Sequence, residues 1–286
     1  MAPTFLQIIL LGLIQGAAEL LPVSSSAHVI VAEKLMRLDP ASPEMTFLLV
    51  MLHTGTMLAV IAYFWRDWQK GIFSSQAQFI ASARQIILAT GATGLLGYGL
   101  KIFIEKLIIG GEKAEIEHLF SSLPLIGSAL LTAGLLILWS ARHVKRLPAR
   151  DPVSDRSAIW IGLSQGVCLP FRGLSRSGTT ISVGLLQGVA QKQAEVFSFA
   201  LAVVITPVAI AIEARRLLKA HPEVAHFDHL LALLKPGMIG FVASFAAGLV
   251  ALVWLSNWLE RGRWNWFGYY CLAAAGAVYL LAANGL

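Results

Sequence analysis

The sequence has 286 residues, of which 57% are apolar and only 13% charged. Soluble globular chains run nearer roughly 45–50% apolar and about 25% charged, so a water-soluble domain is excluded and a membrane protein indicated. The formal charge of +6 fits basic loops on one face of a bilayer and calls for no nucleic-acid partner, while Cys168 and Cys271, both in apolar segments, exclude a disulfide framework.

In chain order, the first apolar stretch covers about 5–36. Its first basic residue is Lys34, so it lacks the charged start of a signal peptide and is expected to stay in the mature chain. It carries Gln15 and Glu19 and is broken by Leu21-Pro22-Val23-Ser24-Ser25-Ser26-Ala27-His28. Three stretches near the ~20 residues that cross a ~30 Å hydrocarbon core follow at about 46–65, 85–104 and 120–141. A second broken stretch, about 158–192, holds Leu169-Pro170-Phe171-Arg172-Gly173-Leu174-Ser175-Arg176-Ser177-Gly178. Three more spans lie at about 195–213, 236–256 and 266–284. Proline removes an amide donor and Ser and Gly favour turns, so no helix runs through either break. Non-helical backbone at membrane depth survives only against protein or a watery cavity, and each broken stretch reads as a re-entrant helix-loop-helix hairpin.

The broken stretches resemble each other at an offset of 150 residues: Gly12-Leu13-Ile14-Gln15-Gly16 lies over Gly162-Leu163-Ser164-Gln165-Gly166, Ser25 over Ser175, Phe47 over Phe197. The chain reads as one integral domain, 1–286, made of repeats at about 1–150 and 151–286. Each repeat is a hairpin plus three spans. Three crossings invert the second copy, so the expected fold is an all-α polytopic membrane protein with six transmembrane helices and two re-entrant hairpins in an inverted-topology repeat. Hairpins that each crossed once would make the copies parallel instead. The Gly-x-x-x-Gly spacing fits close approach of helix backbones.

Lys and Arg are divided almost evenly between the two sides, so orientation rests on the loops. The 142–156 loop is basic, with Arg142, Lys145, Arg146, Arg150 and Arg156, and 105–117 carries Glu105, Glu112, Glu115 and Glu117. The basic loop is placed in the cytoplasm and both termini outside. Trp264, Trp266, Tyr269 and Tyr270 read as an interfacial aromatic belt.

A charge inside an apolar segment costs about 2.5–3.5 kcal/mol on insertion scales, so Glu19, His28 and Arg176 ask for a reason. Gln15 and Glu19 share one helical face. Beyond the break stand Ser24, Ser25, Ser26 and His28; the second hairpin offers Ser175, Arg176, Ser177, Gly178, Thr179 and Thr180. If the hairpin tips meet, an acid, an imidazole, an arginine and several hydroxyls share one pocket. Arginine, hydroxyls and loop amides at a helix start bind phosphate, and Gly178 lets the backbone approach it. Glu19 suits a divalent cation or a base; His28 suits an acid, base or nucleophile; Ser25 suits a nucleophile. The plainer readings are helix-to-helix hydrogen bonds for Glu19 and His28, caps for the serines, and a structural Glu19–Arg176 ion pair. Weaker candidates are His221, His226 and His229 with Glu223 and Asp228 as a metal site or solvated loop, Arg172 as a second phosphate cation, His53 as a helix-to-helix hydrogen bonder, and Cys168 as a small apolar residue.

Two motifs carry a resemblance. Gln15-Gly16-Ala17-Ala18-Glu19 followed by Pro22-Val23-Ser24-Ser25 and His28, together with Arg172-Gly173-Leu174-Ser175-Arg176-Ser177-Gly178-Thr179-Thr180, is similar to the undecaprenyl-diphosphate phosphatase family of bacterial inner membranes, the bacitracin-resistance type. Further similarity runs through Gly55 to Arg66, Glu195 to Pro207 and Phe267-Gly268-Tyr269-Tyr270. The resemblance implies hydrolysis of a C55 isoprenoid diphosphate lipid to its monophosphate, recycling the carrier of cell-wall synthesis, with Mg²⁺ or Ca²⁺ assisting. It implies Glu19, His28 and Arg176 as essential positions, with Gln15, Ser25, Ser26, Ser175, Ser177 and Thr180 lining the site; joined to the residue reading above, Glu19, Ser25, His28 and Arg176 are expected to be catalytic, Glu19 to hold the metal, and Gln15, Ser24, Ser26, Ser175, Ser177, Gly178 and Thr180 to bind substrate. It also implies a multi-pass protein of the bacterial inner membrane, with its site opening to the periplasm and a homodimer among its allowed assemblies. This sequence departs from the pattern at Arg172, in place of proline, at Leu49, where an acid is common, at Gln15, which removes one potential metal ligand, and by one extra residue between Gln165 and Ser175.

On this basis Arg176 and the hydroxyls clamp the phosphates while Ser25, His28 or an activated water attacks phosphorus. The alternative is a secondary transporter or lipid-phosphate flippase using the same midplane pocket.

Overall fold

The computed structural model describes residues 3–40, 42–109, 122–144, 152–171 and 173–285. Among the described residues there is no strand, and ten α-helices form two runs of the same order. Helices α1 (Phe5–Leu20) and α2 (Ser25–Leu35) are short, and α3 (Pro43–Lys70), α4 (Gln76–Phe103) and α5 (Leu123–Val144) are long. The order returns as short α6 (Asp155–Cys168) and α7 (Arg176–Leu186), then long α8 (Gln191–Ala220), α9 (Phe227–Glu260) and α10 (Asn265–Ala283). The six long helices are each long and apolar enough to cross a membrane, so the chain is an all-α polytopic membrane protein. At ~1.5 Å per residue the 16 residues of α1 reach about 24 Å, less than the ~30 Å hydrocarbon core.

The long helices overrun the spans expected from hydropathy because polar residues extend them past the hydrocarbon. Ser42 caps α3 by accepting from the Met45 amide with Pro43 in the first position, and α4 begins at Gln76 under a Ser75 cap, nine residues before its expected span. That polar start is anchored by Arg84 to Asp155 at 2.9 Å.

Pro22 stops α1 as its chemistry requires. Leu21, the residue before it, is pushed to an extended conformation (φ −75°, ψ 150°), and Ser24 then caps α2 from a φ of +70°. In the second hairpin Gly173 takes φ +109° and Ser175 caps α7, accepting from the Gly178 amide at 3.2 Å. The two caps are Ser24 and Ser175, so Ser24, not Ser25, is the local counterpart of Ser175; the second turn holds one residue more. Arg172 lies outside the described residues, as do most of the 105–117 loop and half of the 142–156 loop on which the orientation rests.

Packing crosses between the two runs. The first short helix of each lies on the second long helix of the other, α1 on α9 and α6 on α4, while α3 meets α8 and α5 meets α10. The Gly-x-x-x-Gly pairs make these approaches close. A Cβ at Gly16 would stand 2.7 Å from that of Ala247, and one at Gly162 only 2.6 Å from the Ala89 Cα. Thr93 seals the second contact, donating to the Gly162 carbonyl at 2.9 Å and accepting from Gln165 at 3.1 Å.

This predicts a contrast between two single-methyl changes. Gly162→Ala forces backbone against backbone and costs about 1–3 kcal/mol. Gly91→Ala, on the open face of α4 with nothing within 4 Å, is neutral or stabilising by up to ~1 kcal/mol. Thermal unfolding in detergent reads the difference, and equal melting temperatures would show that α6 and α4 can separate without penalty.

Two polar features lie in the interior. Trp264 is not part of an aromatic belt: it is buried, donating its indole N–H to Ser140 at 3.0 Å, because Ser140 offers the partner a buried indole needs. Trp266, Tyr269 and Tyr270 remain exposed. Glu195 is fully buried, accepts from Ser256 at 2.5 Å and faces Lys192 at 3.6 Å; Lys192 also pairs with Asp67 at 3.3 Å, tying α3, α8 and α9 together.

Candidate active site

The two hairpin tips meet. Arg176, the first residue of α7, donates from Nη2 to Glu19 Oε1 at 3.1 Å, and Ser177 Oγ donates to the Leu21 carbonyl at 3.4 Å. The other carboxylate oxygen of Glu19 accepts from Ser25 Oγ at 2.5 Å and from Gln15 Nε2 at 3.3 Å. Gln15 reaches it because the two stand one turn apart on α1; Ser25 reaches it because the Pro22 turn folds the start of α2 back.

A narrow cleft of about 10 Å³ opens beside this group, lined by Glu19 and Leu20 of α1, Thr56, Met57 and Val60 of α3, Arg176 of α7, and Ala202, Val203 and Thr206 of α8. Arg176 Nη1 is buried and makes no hydrogen bond. A purely structural ion pair would spend the whole guanidinium on protein acceptors; this one keeps a donor in hand. On the far side of Val203 lies an apolar groove of about 400 Å³ between α3, α4 and α8, walled by Trp65, Trp68, Phe73, Phe79 and Ile86.

His28, in the first turns of α2, stands apart from the cleft lining. Its Nδ1 lies 2.7 Å from the Ser24 carbonyl and its Nε2 lies 2.7 Å from the Tyr270 hydroxyl.

The remaining candidates divide by what they touch. Ser24 and Ser175 are buried caps, and the Gly178 amide is spent on the Ser175 hydroxyl. Thr180 is fully buried and turned from the cleft, bonded to the Arg176 carbonyl at 2.8 Å and to Ser198 at 2.6 Å. Ser26 is half-buried in the first turn of α2. His53 bonds its own helix through the Leu49 carbonyl, at 2.9 Å, and no neighbouring helix; Cys168 bonds Ser164 at 3.3 Å, and Leu49 packs in an apolar cluster. His226 and His229 are exposed, and the Glu223 side chain lies outside the described residues. Among the described residues no three His, Cys, Asp or Glu side chains gather as metal ligands. The sequence reading missed Thr56 and Thr206 as lining residues. Thr56 lies in the run His53-Thr54-Gly55-Thr56, and both threonines lie in the family-like segments Gly55 to Arg66 and Glu195 to Pro207, which were the available signals.

The family model described as "Bacitracin resistance protein BacA" matches residues 8–277. The chain belongs to the BacA family. Among its relatives, Undecaprenyl-diphosphatase 2 of Acinetobacter baylyi is 52% identical over 284 residues, covering 98% of this chain and 99% of the relative. The Undecaprenyl-diphosphatase of Moorella thermoacetica is 33% identical over 95% of this chain and 96% of the relative, and that of Bacteroides thetaiotaomicron 29% identical over 97% and 98%. In this BacA-family chain the acid comes from the first hairpin and the cation from the second, and the one hydroxyl bonded to the acid is that of Ser25.

Proposed function

We propose that this chain hydrolyses undecaprenyl diphosphate to undecaprenyl phosphate and inorganic phosphate. The observation that carries the reading is the buried Arg176 Nη1 without a partner, beside a serine hydroxyl already bonded to a carboxylate. A diphosphate entering the cleft competes with Glu19 for Arg176, because the guanidinium fork donates in pairs to phosphate oxygens. Glu19, released from the ion pair, accepts the Ser25 proton as Ser25 Oγ attacks the terminal phosphorus. The bond to the bridging oxygen breaks, its electron pair stays with the lipid monophosphate, and Glu19 returns the proton to that leaving group. A water then attacks the phosphoserine, giving its proton through Glu19 back to Ser25 and freeing phosphate.

The isoprenoid chain lies in the apolar groove, which meets the cleft at Val203. The hairpins re-enter the membrane as the tips of an internal duplication, 1–150 and 151–286, and the site opens to the periplasmic side of the bacterial inner membrane.

The donors suit a divalent cation only when phosphate supplies most of its ligands. Glu19 is the one carboxylate among the described residues lining the cleft, and Mg²⁺ is commonly held by one or two carboxylates plus substrate phosphates. A cation there would neutralise phosphate charge, with Glu19 holding it beside Gln15. Gln15→Glu sets a second carboxylate against the first and therefore lowers the Mg²⁺ concentration for half-maximal activity by about tenfold, from the added charge. An unchanged Mg²⁺ titration would take Glu19 away from the cation.

The direct test is phosphate release from undecaprenyl diphosphate by the purified protein. No release overturns the reading. None of the relatives named above carries a transporter's name, and lipid movement in liposomes without phosphate release is what would bring the transport alternative back.

A further inference from the structure

We propose that Tyr270 is a positioning residue for this reaction, acting through His28 to hold the Ser24 turn that presents Ser25 to Glu19; the inference rests on the phosphatase reading above. Both ring nitrogens of His28 are committed. A carbonyl oxygen only accepts, so the 2.7 Å contact with Ser24 puts the proton on Nδ1. Nε2 then offers its lone pair, and the Tyr270 hydroxyl, 2.7 Å away, donates to it. The two rings stack at 5.7 Å with 14° between their planes, fixing the imidazole on a second count.

What the imidazole holds is a strained turn. Ser24 has φ +70° and ψ 97°, a conformation that is strained for a non-glycine residue and persists only where its surroundings impose it. Its carbonyl receives the His28 backbone amide at 3.4 Å and the His28 ring at 2.7 Å, so the ring is the closer hold. The cap bond from the Ala27 amide to Ser24 Oγ is long, at 3.5 Å. The next residue is Ser25, 2.5 Å from Glu19. α10 grips the same turn again one residue on, where Cys271 donates to the Pro22 carbonyl at 3.4 Å. Neither nitrogen of His28 can attack phosphorus or take a proton without breaking one of these bonds. Its part is to aim Ser25, and Tyr270 keeps it in the tautomer that does so.

The test compares Tyr270→Phe, His28→Asn, His28→Gln and His28→Ala in the purified full chain with undecaprenyl diphosphate. Tyr270→Phe keeps the ring and loses the donor; kcat falls about tenfold, the value of one hydrogen bond, while KM stays within about twofold. Asparagine places an N–H where Nδ1–H stood, so His28→Asn retains activity within about tenfold of the parent, whereas His28→Gln and His28→Ala lose a hundredfold or more. Tyr270→Phe added to His28→Asn changes nothing further. Wild-type kcat in Tyr270→Phe, or His28→Asn as inactive as His28→Ala, overturns the proposal. ¹⁵N NMR of histidine-labelled protein reads the tautomer without turnover: Nδ1–H is expected, and Nε2–H overturns the proposal. Wild-type protein that releases no phosphate overturns the phosphatase reading alone.

Discussion

Arg176→Ala lowers the rate of phosphate release about a thousandfold, close to 4 kcal/mol of transition-state stabilisation. Arg176 is the only cation among the described residues lining the cleft, and it opposes the charge that develops on the transferring phosphoryl group. Arg176→Lys recovers only part of the loss, since an ammonium is a point charge and cannot donate to two phosphate oxygens in a planar fork. The competing explanation is a fold defect from leaving Glu19 unpaired. The two side chains are 22% and 19% exposed, so that penalty is smaller than the roughly 3–5 kcal/mol of a fully buried pair. The double variant Glu19→Gln with Arg176→Ala removes the orphaned charge: its melting temperature returns toward the parent while its activity does not. Recovery of both together would make the pair structural and nothing more.

Glu19→Gln costs about 10²–10⁴ in kcat, the usual worth of a general base. Glutamine is nearly the same size, and its amide oxygen still accepts the Ser25 hydroxyl, while its NH2 stands where Oε1 accepted from Arg176 and the ion pair is lost. It cannot take a proton, and Ser25 stays a neutral, poor nucleophile. With both side chains about a fifth exposed, the lost ion pair should lower the melting temperature only modestly, which separates chemistry from folding. A Glu19→Gln enzyme turning over at the parental rate would leave the carboxylate as a tether between α1 and α2.

The six spans were legible because apolar runs of about 20 residues have one reading in a bilayer, and Pro22 and Pro170 marked the breaks for a reason intrinsic to proline. The Glu19–Arg176 meeting was legible because isolated charges in apolar surroundings need partners. What escaped depends on where a side chain turns. Thr180 looked like a phosphate ligand but bonds back to the Arg176 carbonyl, as helical threonines often do, and Trp264 looked interfacial until Ser140 gave its indole a buried partner. Tyr270 was read as a lipid-interface residue, and nothing in the sequence joins it to His28, 242 residues earlier. Glu195 was read only as the start of a segment similar to the family, because a glutamate three residues after a lysine near a helix start reads as solvated.

Glu19 and Arg176 are separated by 157 residues, one at each hairpin tip. During synthesis, then, the ribosome delivers the carboxylate long before its counter-charge exists. A nascent chain inserted as far as α5 carries a carboxylate with no arginine to meet and no means of gripping a phosphate. The pair forms only once the second half is in place and its tip meets the first, so a molecule whose halves fail to meet lacks the pair altogether.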